Sequence, residues 1–230
     1  MTFPQTPAPD WLLMVQELKA ARQWLNWRWE VTKDGRLTKV PYEAATGEKA
    51  DTTDPRTWCD YATAKDAVLQ GRFPGVGFVV TEHECLCGID LDKCRDPETG
   101  VIAPWARREI ARFNSYAEVT VSGTGIRIWV RGTKGDNERC KVTTGPLAGH
   151  IECYDRERFF TLSGQHIAGT PMLIEPRQAE LDAFLAEHLP PRPQREPRPP
   201  REPRPLACSD AQIIEKALGA SNGAAFAALW

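Results

Sequence analysis

The sequence lacks long hydrophobic runs. No apolar stretch in its 230 residues approaches the roughly 20 residues that a helix needs to cross a membrane. The N-terminus, MTFPQTPAPDWLLMVQ, also lacks the basic segment and long apolar segment of a secretory signal. We therefore expect a cytoplasmic protein that has no membrane partner.

A strong charge of either sign is missing as well. Lys and Arg total 29 against 31 for Asp and Glu, which gives a formal net charge of −2. The overall charge therefore does not indicate a nucleic-acid binder, although a carboxylate-rich site can mask a basic groove. The length suits one large domain, or one domain plus a fragment.

The cysteine pattern does not fit a disulfide framework or a zinc site. The seven cysteines are an odd number in a chain of ordinary size. Cys85, Cys87 and Cys94 lie near His83, but their C-x-C-x6-C spacing has no second cluster. Structural zinc usually takes paired C-x-x-C motifs, or one such motif with paired histidines. We expect no zinc, and we interpret these cysteines as small buried residues on a strand.

A proline-rich segment divides the chain. Residues 190–205 contain eight of the 19 prolines, five arginines and two glutamates. Proline has no backbone N–H to donate, so this many prolines predict an extended, solvated linker. An alternative is that its arginines contact a phosphate backbone. We predict a catalytic domain over 1–188, a linker over 189–206 and the start of a truncated helical domain over 207–230.

The segment after the linker has clear helix boundaries. Ser209 or Asp210 can cap a helix that runs through Leu218, and Gly219 can end it. A second helix is predicted to begin near Asn222. Its apolar stripe has nothing to pack against before the sequence stops, so we expect a longer natural protein.

Before the linker, helical and strand periodicities alternate and predict an α+β sheet protein. The predicted helices are residues 10–23, 60–70, Pro104 to Phe113 and 177–188. The predicted strands are Trp24 to Val31, Val76 to Thr81, Leu86 to Asp90, Ala117 to Val121, Ile126 to Val130, Ile151 to Tyr154 and Arg158 to Leu162, the last of which is expected to close the sheet.

Two carboxylates follow the apolar residues of the motif G-I-D-L-D. Asp90 and Asp92 are two positions apart, so a strand places both on one face at the rim of the sheet. Like charges at this spacing repel unless a cation lies between them, and oxygen ligands suit Mg²⁺ or Mn²⁺. The alternative is a solvated strand end or a helix cap.

A third acid strengthens the metal hypothesis. Glu152 lies inside the apolar strand pattern I-E-C-Y, where a carboxylate is costly unless it is paired or metal-bound. Together with Asp90 and Asp92 it could form a two-metal site of the kind used for phosphoryl transfer. The alternative is that Glu152 occupies the exposed face of an edge strand.

Candidate phosphate-binding residues lie between and beside the acids. The turn S-G-T-G, with Ser122, Gly123 and Gly125, has small residues whose backbone N–H groups and hydroxyls can bind phosphate oxygens. It matches neither a Walker A loop nor a Rossmann fingerprint, and an ordinary hairpin turn is the alternative. Arg127 and Arg158 begin strands next to the acids and could bind a triphosphate.

The N-terminal region adds a lysine and several tryptophans. Lys39, in the motif G-R-L-T-K-V-P-Y, could reach a phosphate. The tryptophans could stack on the bases of single-stranded DNA. For Trp24 and Trp27 we favour burial in the core.

The order of these motifs resembles a known family. W-x-x-W, K-V-P-Y, G-x-K-A, D-P-x-T-W, G-V-G-F-V, G-I-D-L-D, S-G-T-G, I-E-C-Y-D and R-F-F-T-L-S-G occur in this order over residues 20–168. The series resembles the phage and mobile-element primase-polymerases of the archaeo-eukaryotic primase superfamily, specifically the NrS-type phage polymerases. The C-terminal I-I-E-K-A-L-G-A-S-N-G-A-A-F resembles the helical region that precedes a helicase in longer relatives.

The resemblance implies metal-dependent, template-directed nucleotidyl transfer. Asp90 and Asp92 match the D-x-D metal ligands of the family, and Glu152 matches its third acid. The implied cofactors are two Mg²⁺ or Mn²⁺ ions. The implied partners are a single-stranded DNA template or primer-template and dNTPs or NTPs. The implied fold has an RRM-like antiparallel sheet that carries the acids, beside an N-terminal α/β unit that forms a template cleft.

The resemblance also assigns nucleotide-binding residues. Ser122 matches the family serine that contacts the triphosphate, and Arg158 falls where the family has a basic residue near the nucleotide. Phe159 would then lie near the sugar, as a possible filter between ribo- and deoxyribonucleotides. Arg127 departs from the family, which has a histidine at this position.

The sequence leaves two alternative functions to consider. The Arg127 departure motivates a catalytically degenerate relative that binds single-stranded DNA or a replication origin. A rolling-circle nuclease can share an RRM-like core, but it needs an H-x-H pair and a tyrosine nucleophile. The histidines, which are His83, His150, His166 and His188, form no such pair.

Overall fold

A computed structural model describes residues 6–191 and 209–229. The chain divides into two compact units, Met1–Arg192 and Pro193–Trp230, which are described separately. Most of the predicted proline-rich linker lies outside the described residues. None of the described helices is long and apolar enough to cross a membrane.

The first unit contains nine strands and three α-helices within its described residues. The strands are β1 (Trp24–Val31), β2 (Leu37–Tyr42), β3 (Gly75–Val80), β4 (Leu86–Leu91), β5 (Ala117–Val119), β6 (Ile126–Arg131), β7 (Ile151–Tyr154), β8 (Arg158–Leu162) and β9 (Glu175–Pro176). The helices are α1 (Tyr61–Leu69), α2 (Pro104–Phe113) and α3 (Gln178–His188).

The strands form two sheets, and the predicted α+β class is confirmed. The first sheet has the order β2-β1-β3-β8 and the second has the order β5-β6-β4-β7, with β9 added in parallel to β6. All other pairs are antiparallel. β8, which was expected to close the sheet, is an edge strand, but it pairs with β3 in the first sheet and does not join the strands that carry the acids.

A glycine allows the two sheets to approach each other closely. Gly88 lies on β4, in the second sheet, and Phe160 lies on β8, in the first. A Cβ atom at Gly88 would be only 2.6 Å from the Phe160 ring. Phe160 also contacts Trp129 edge to face, with ring centroids 5.0 Å apart. These contacts place the catalytic-site candidates of both sheets near one another.

The helix predicted over residues 10–23 is not formed, and only a 3₁₀ turn occurs at Glu17–Ala20. The Asp10 carboxylate accepts from the backbone N–H groups of Leu12 and Leu13 and holds this segment in a turn. Met14 and Val15 are fully buried in the core. Tertiary packing therefore overrides a helical periodicity, which by itself supplies little stability.

The β1–β2 hairpin contains a strand that the sequence analysis did not assign. β2 pairs with β1 along its whole length, although Pro41 lies within it. Proline is tolerated because β2 is an edge strand and needs no second ladder. The predicted burial of Trp24 and Trp27 is confirmed, since neither side chain is exposed.

The described part of the second unit has two short helices, α4 (Asp210–Leu218) and α5 (Gly223–Leu229). Ser209 caps α4 by accepting from the backbone N–H of Gln212, whose side chain accepts in turn from the Ser209 backbone. Gly219 ends α4. The predicted cap and helix end are confirmed, and α5 begins one residue after the predicted Asn222.

Candidate active site

A cavity of about 610 Å³ brings together eight of the ten site residues expected from the sequence. This volume falls within the range of small-molecule sites. The first sheet contributes residues from β1, β2 and β8, and the second contributes residues from β4, β6 and β7. The lining includes Trp29, Lys39, Asp90, Asp92, Ser122, Arg127, Glu152, Arg158 and Phe159.

The acids meet because β4 and β7 are neighbours. Asp90 on β4 lies directly opposite Glu152 on β7. Asp92 follows the end of β4, where its backbone N–H donates to the His150 carbonyl at 2.7 Å. The predicted shared orientation of Asp90 and Asp92 is confirmed, because both side chains line the cavity.

Charged residues form a row across the second sheet. The register places Glu118 of β5 opposite Arg127 of β6, Arg127 opposite Asp90, and Asp90 opposite Glu152. An isolated bridge adds Lys141 beside Glu152. Directly opposite residues share a face of a sheet, so the charges run −, +, −, −, +. The two central carboxylates are therefore like-charged neighbours.

Arg127 is the buried cation of this row. Its Nε atom donates to Asp90 Oδ1 at 2.8 Å, and its Nη1 atom donates to the Thr161 carbonyl. Its guanidinium lies 4.6 Å from the centre of the Phe160 ring. The side chain is only about 6% exposed. Arg127 therefore neutralises Asp90 in this structure, and it also lines the cavity.

Glu152 is held by three donors. Lys141 Nζ lies 2.6 Å from its Oε1 atom, and Arg158 Nη2 lies 3.1 Å from its Oε2 atom. The Tyr154 hydroxyl donates to Oε2 at 2.9 Å. The Arg158 guanidinium also lies over the Tyr154 ring, 4.3 Å from its centre. The ion pair with Glu152 and the contact with the Tyr154 ring thus fix the position of the Arg158 guanidinium.

Asp92 is the cavity acid without a direct ion pair in the described residues. Burial raises its pKa and the nearby negative charges of Asp90 and Glu152 raise it further, against the opposing effect of the Arg127 and Lys39 charges. No ion pair or hydrogen bond of its side chain is found in the described part of the chain. Carboxylate oxygens are the ligands that Mg²⁺ and Mn²⁺ prefer. The donor set and the absence of a direct ion pair at Asp92 therefore both fit a divalent cation.

The S-G-T-G turn reaches the cavity through its serine. Ser122 lines the cavity, and its hydroxyl lies 3.0 Å from the hydroxyls of both Thr120 and Thr124. Gly123 and Gly125 lie outside the lining and shape the turn. Gly123 has a positive φ of 76°, and its N–H donates to the Thr120 carbonyl. That N–H is therefore used within the turn in this structure, and phosphate binding by Gly123 and Gly125 stays a prediction.

Lys39 and Phe159 approach from the first sheet. The Lys39 ammonium lies 5.3 Å from the centre of the Trp29 ring. Burial and the neighbouring Arg127 charge lower the pKa of Lys39 to about 8, against the opposing effect of Asp90 and Asp92. Phe159 is partly buried on the cavity wall. Both predicted residues are thus in the cavity with the acids.

The sequence analysis missed two charged members of the row, Glu118 and Lys141. Glu118 is fully buried, and it lies in the apolar pattern A-E-V of β5. This is the same signal, a carboxylate inside an apolar strand, that identified Glu152. Lys141 lies outside the regular strands, and its sequence context contains no signal for its contact with Glu152.

A second acidic group lies away from the cavity, on α2 and α3. Ligand atoms of Glu109, Glu187 and His188 fall within 4.8 Å of one another, whereas the cavity acids do not form such a group among the described residues. Arg108 and Arg112 already pair with both of these glutamates. Their positive charges oppose a metal ion here, so we interpret the group as a helix–helix ion-pair network.

No protein-family model matches the chain. The chain is 32% identical over 178 residues to the DNA primase-polymerase of Nitratiruptor phage NrS-1. Over this matched region, the chain belongs to the phage primase-polymerase family. The match covers 76% of the chain and 24% of the relative, so the chain spans about a quarter of that protein's length. The resemblance drawn from the order of motifs is confirmed.

Proposed function

We propose that the first unit carries out metal-dependent, template-directed nucleotidyl transfer, as a DNA primase or DNA polymerase in the replication of a phage or mobile element. The primer 3′-hydroxyl would attack the α-phosphate of a nucleotide, and pyrophosphate would leave. The observation that carries the proposal is the single cavity that joins Asp90, Asp92 and Glu152 to the cations Lys39, Arg127 and Arg158.

Asp90, Asp92 and Glu152 would hold the Mg²⁺ or Mn²⁺ ions. When bound, these ions would activate the hydroxyl and neutralise the charge that develops during phosphoryl transfer. The like-charged pair of Asp90 and Glu152 and the pKa of Asp92, which burial and these two charges raise, support this assignment, because a cation bound between the acids would relieve their repulsion.

The cavity cations and Ser122 would bind the triphosphate. Lys39 and Arg127 face the acids from the first and second sheets, and Arg158 stands beside Glu152. Phe159 would contact the sugar and discriminate between ribo- and deoxyribonucleotides. The partners would be single-stranded DNA or a primer-template and dNTPs or NTPs. A helicase region in a longer chain remains an expectation from the resemblance, as does a cytoplasmic location.

Primer extension on a single-stranded DNA template tests the proposal. The 230-residue chain is assayed with Mg²⁺, with Mn²⁺ and with EDTA, beside Asp90→Asn/Asp92→Asn. A matched control, Asp66→Asn/Asp182→Asn, removes two exposed carboxylates on α1 and α3. Metal-dependent extension that is lost only in the cavity variant supports the proposal. A folded, DNA-binding wild-type chain that extends no primer with either metal contradicts it.

A second function is a degenerate relative that binds single-stranded DNA or a replication origin without synthesis. The observation in its favour is the Arg127–Asp90 ion pair, which occupies one metal-ligand candidate. This function predicts that Asp90→Asn/Asp92→Asn leaves DNA affinity unchanged and that no metal supports extension. Fluorescence anisotropy with a labelled single-stranded oligonucleotide measures the affinity in the same variants.

A further inference from the structure

The charged row contains a fully buried group for which the proposed reaction has no role, Glu118. Its Oε2 atom accepts from the backbone N–H of Gly164 at 2.8 Å and from that of Ser163 at 3.3 Å. Its Oε1 atom has no hydrogen-bond partner in the described residues. A buried carboxylate oxygen without a donor is costly. This oxygen could therefore accept a hydrogen bond from a neighbouring group that adopts a second conformation.

That neighbour is Arg127. Glu118 Oε1 lies 3.8 Å from Arg127 Nη1, about 1 Å beyond the length of a charge-assisted hydrogen bond. Arg127 thus lies between two carboxylates of one row, bonded to Asp90 and only near Glu118. A small rotation of the guanidinium would close the second pair as the first opens.

A divalent cation bound to Asp90 would favour this rotation of the Arg127 guanidinium. A guanidinium bonded to Asp90 would repel a second positive charge on the same carboxylate. Arg127 cannot simply turn to solvent, because its side chain is about 6% exposed and lies against Phe160. Glu118 is the other carboxylate within ion-pair distance of it in the described structure.

We propose that Glu118 is a positioning residue that forms an ion pair with the Arg127 guanidinium when a divalent cation binds Asp90. The inference rests on the proposed metal site and extends it to a residue outside the cavity lining. It gives Arg127 two roles, as the counter-ion of Asp90 without metal and as a partner of Glu118 with metal. It also explains how an arginine can stand beside a metal ligand without blocking it.

Mn²⁺ titration tests the inference without an activity assay. The dissociation constant is measured from the EPR signal of free Mn²⁺ with the 230-residue chain. Glu118→Gln is expected to weaken binding about tenfold, since Arg127 then stays with Asp90 and repels the cation. Arg127→Gln is expected to tighten binding. Because Glu118 acts through Arg127, adding Glu118→Gln to Arg127→Gln should change the dissociation constant less than about twofold.

The possible outcomes separate this inference from the proposed function. Equal Mn²⁺ affinity in wild type and Glu118→Gln overturns the inference and leaves the metal site standing. An equal weakening with and without Arg127 also overturns it, because Glu118 would then act independently. A wild-type chain that binds no Mn²⁺ overturns both. Asp92→Asn serves as the control for the site and is expected to abolish binding.

Folding of each variant is followed by circular dichroism during thermal unfolding. If Glu118→Gln alone does not fold, Arg127→Gln and the double variant still form a matched pair, in which no buried guanidinium is left without its acid. Similar Mn²⁺ affinity in these two variants supports the inference. A tenfold difference between them overturns it.

Discussion

Asp90 on β4 lies directly opposite Glu152 on β7, so two carboxylates are nearest cross-strand neighbours. Like charges in this position destabilise a sheet. Arg127 compensates one of them and Lys141 with Arg158 the other, while Asp92 adds a third acid without a local partner. The folded chain therefore holds three carboxylates close together at a fixed point, and a bound divalent cation would relieve their mutual repulsion.

The first prediction concerns this relief. Mn²⁺ at about 100 times its dissociation constant should stabilise the first unit by about 2.7 kcal/mol. For a unit of this size, that corresponds to a rise of roughly 5–10 °C in melting temperature. Differential scanning fluorimetry with Mn²⁺ and with EDTA measures the shift. Asp92→Asn should melt higher than wild type in EDTA, because it removes the unpaired charge, and should lose the Mn²⁺ shift.

The second prediction uses the position of Lys39. Burial lowers its pKa to about 8, so its positive charge is lost as the pH rises above that value. If Lys39 binds the triphosphate, kcat/KM for the nucleotide should fall above pH 8, approaching tenfold for each pH unit. Lys39→Arg should remove this decline, since arginine stays charged. If the decline in kcat/KM is unchanged in Lys39→Arg, a group other than Lys39 causes it.

The third prediction concerns stability and pH. Burial raises the pKa of Glu118 from 4.5 to about 7. A carboxyl whose pKa is higher in the folded state stabilises the fold fully below pH 4.5, and this contribution is lost as the pH rises through 7. The loss amounts to about 3 kcal/mol. Urea unfolding at pH 5 and pH 8 should show this loss in wild type, and Glu118→Gln should lack it.

The fourth prediction concerns the contact between the sheets. Gly88→Ala places a methyl group against the Phe160 ring, 2.6 Å from its nearest atom. Overpacking of this kind should lower the free energy of unfolding by roughly 1–3 kcal/mol. Phe160→Leu opens space at this point, so Gly88→Ala should be less costly in that background. Equal effects in both backgrounds, measured by urea unfolding, would show that the ring is not the obstacle.

Much of the local structure was predictable because it depends on near neighbours in the chain. Alternation identified β1, a short apolar run identified β4, and a proline at a helix start identified α2 over Pro104–Phe113. The D-x-D spacing determined that Asp90 and Asp92 share a face, since a strand has a period of two. The order of short motifs identified the family.

The sequence alone did not predict features that depend on distant partners. Periodicity predicted a helix over residues 10–23, but burial of Met14 and Val15 decided otherwise. Nothing local shows that β8 pairs with β3 while β7 pairs with β4. Strand pairing is chosen by packing between remote segments, so the division into two sheets is a tertiary result.

The same distinction applies to the site. The sequence by itself determined the chemistry available here: three carboxylates, three cations and a serine in a family-specific order. Only the tertiary structure decided that Glu118, Arg127, Asp90 and Glu152 form one row across four strands. Charges interact through space rather than along the chain. The ion pair of Arg127 with Asp90, and the nearby oxygen of Glu118, therefore emerge only when the strands come together.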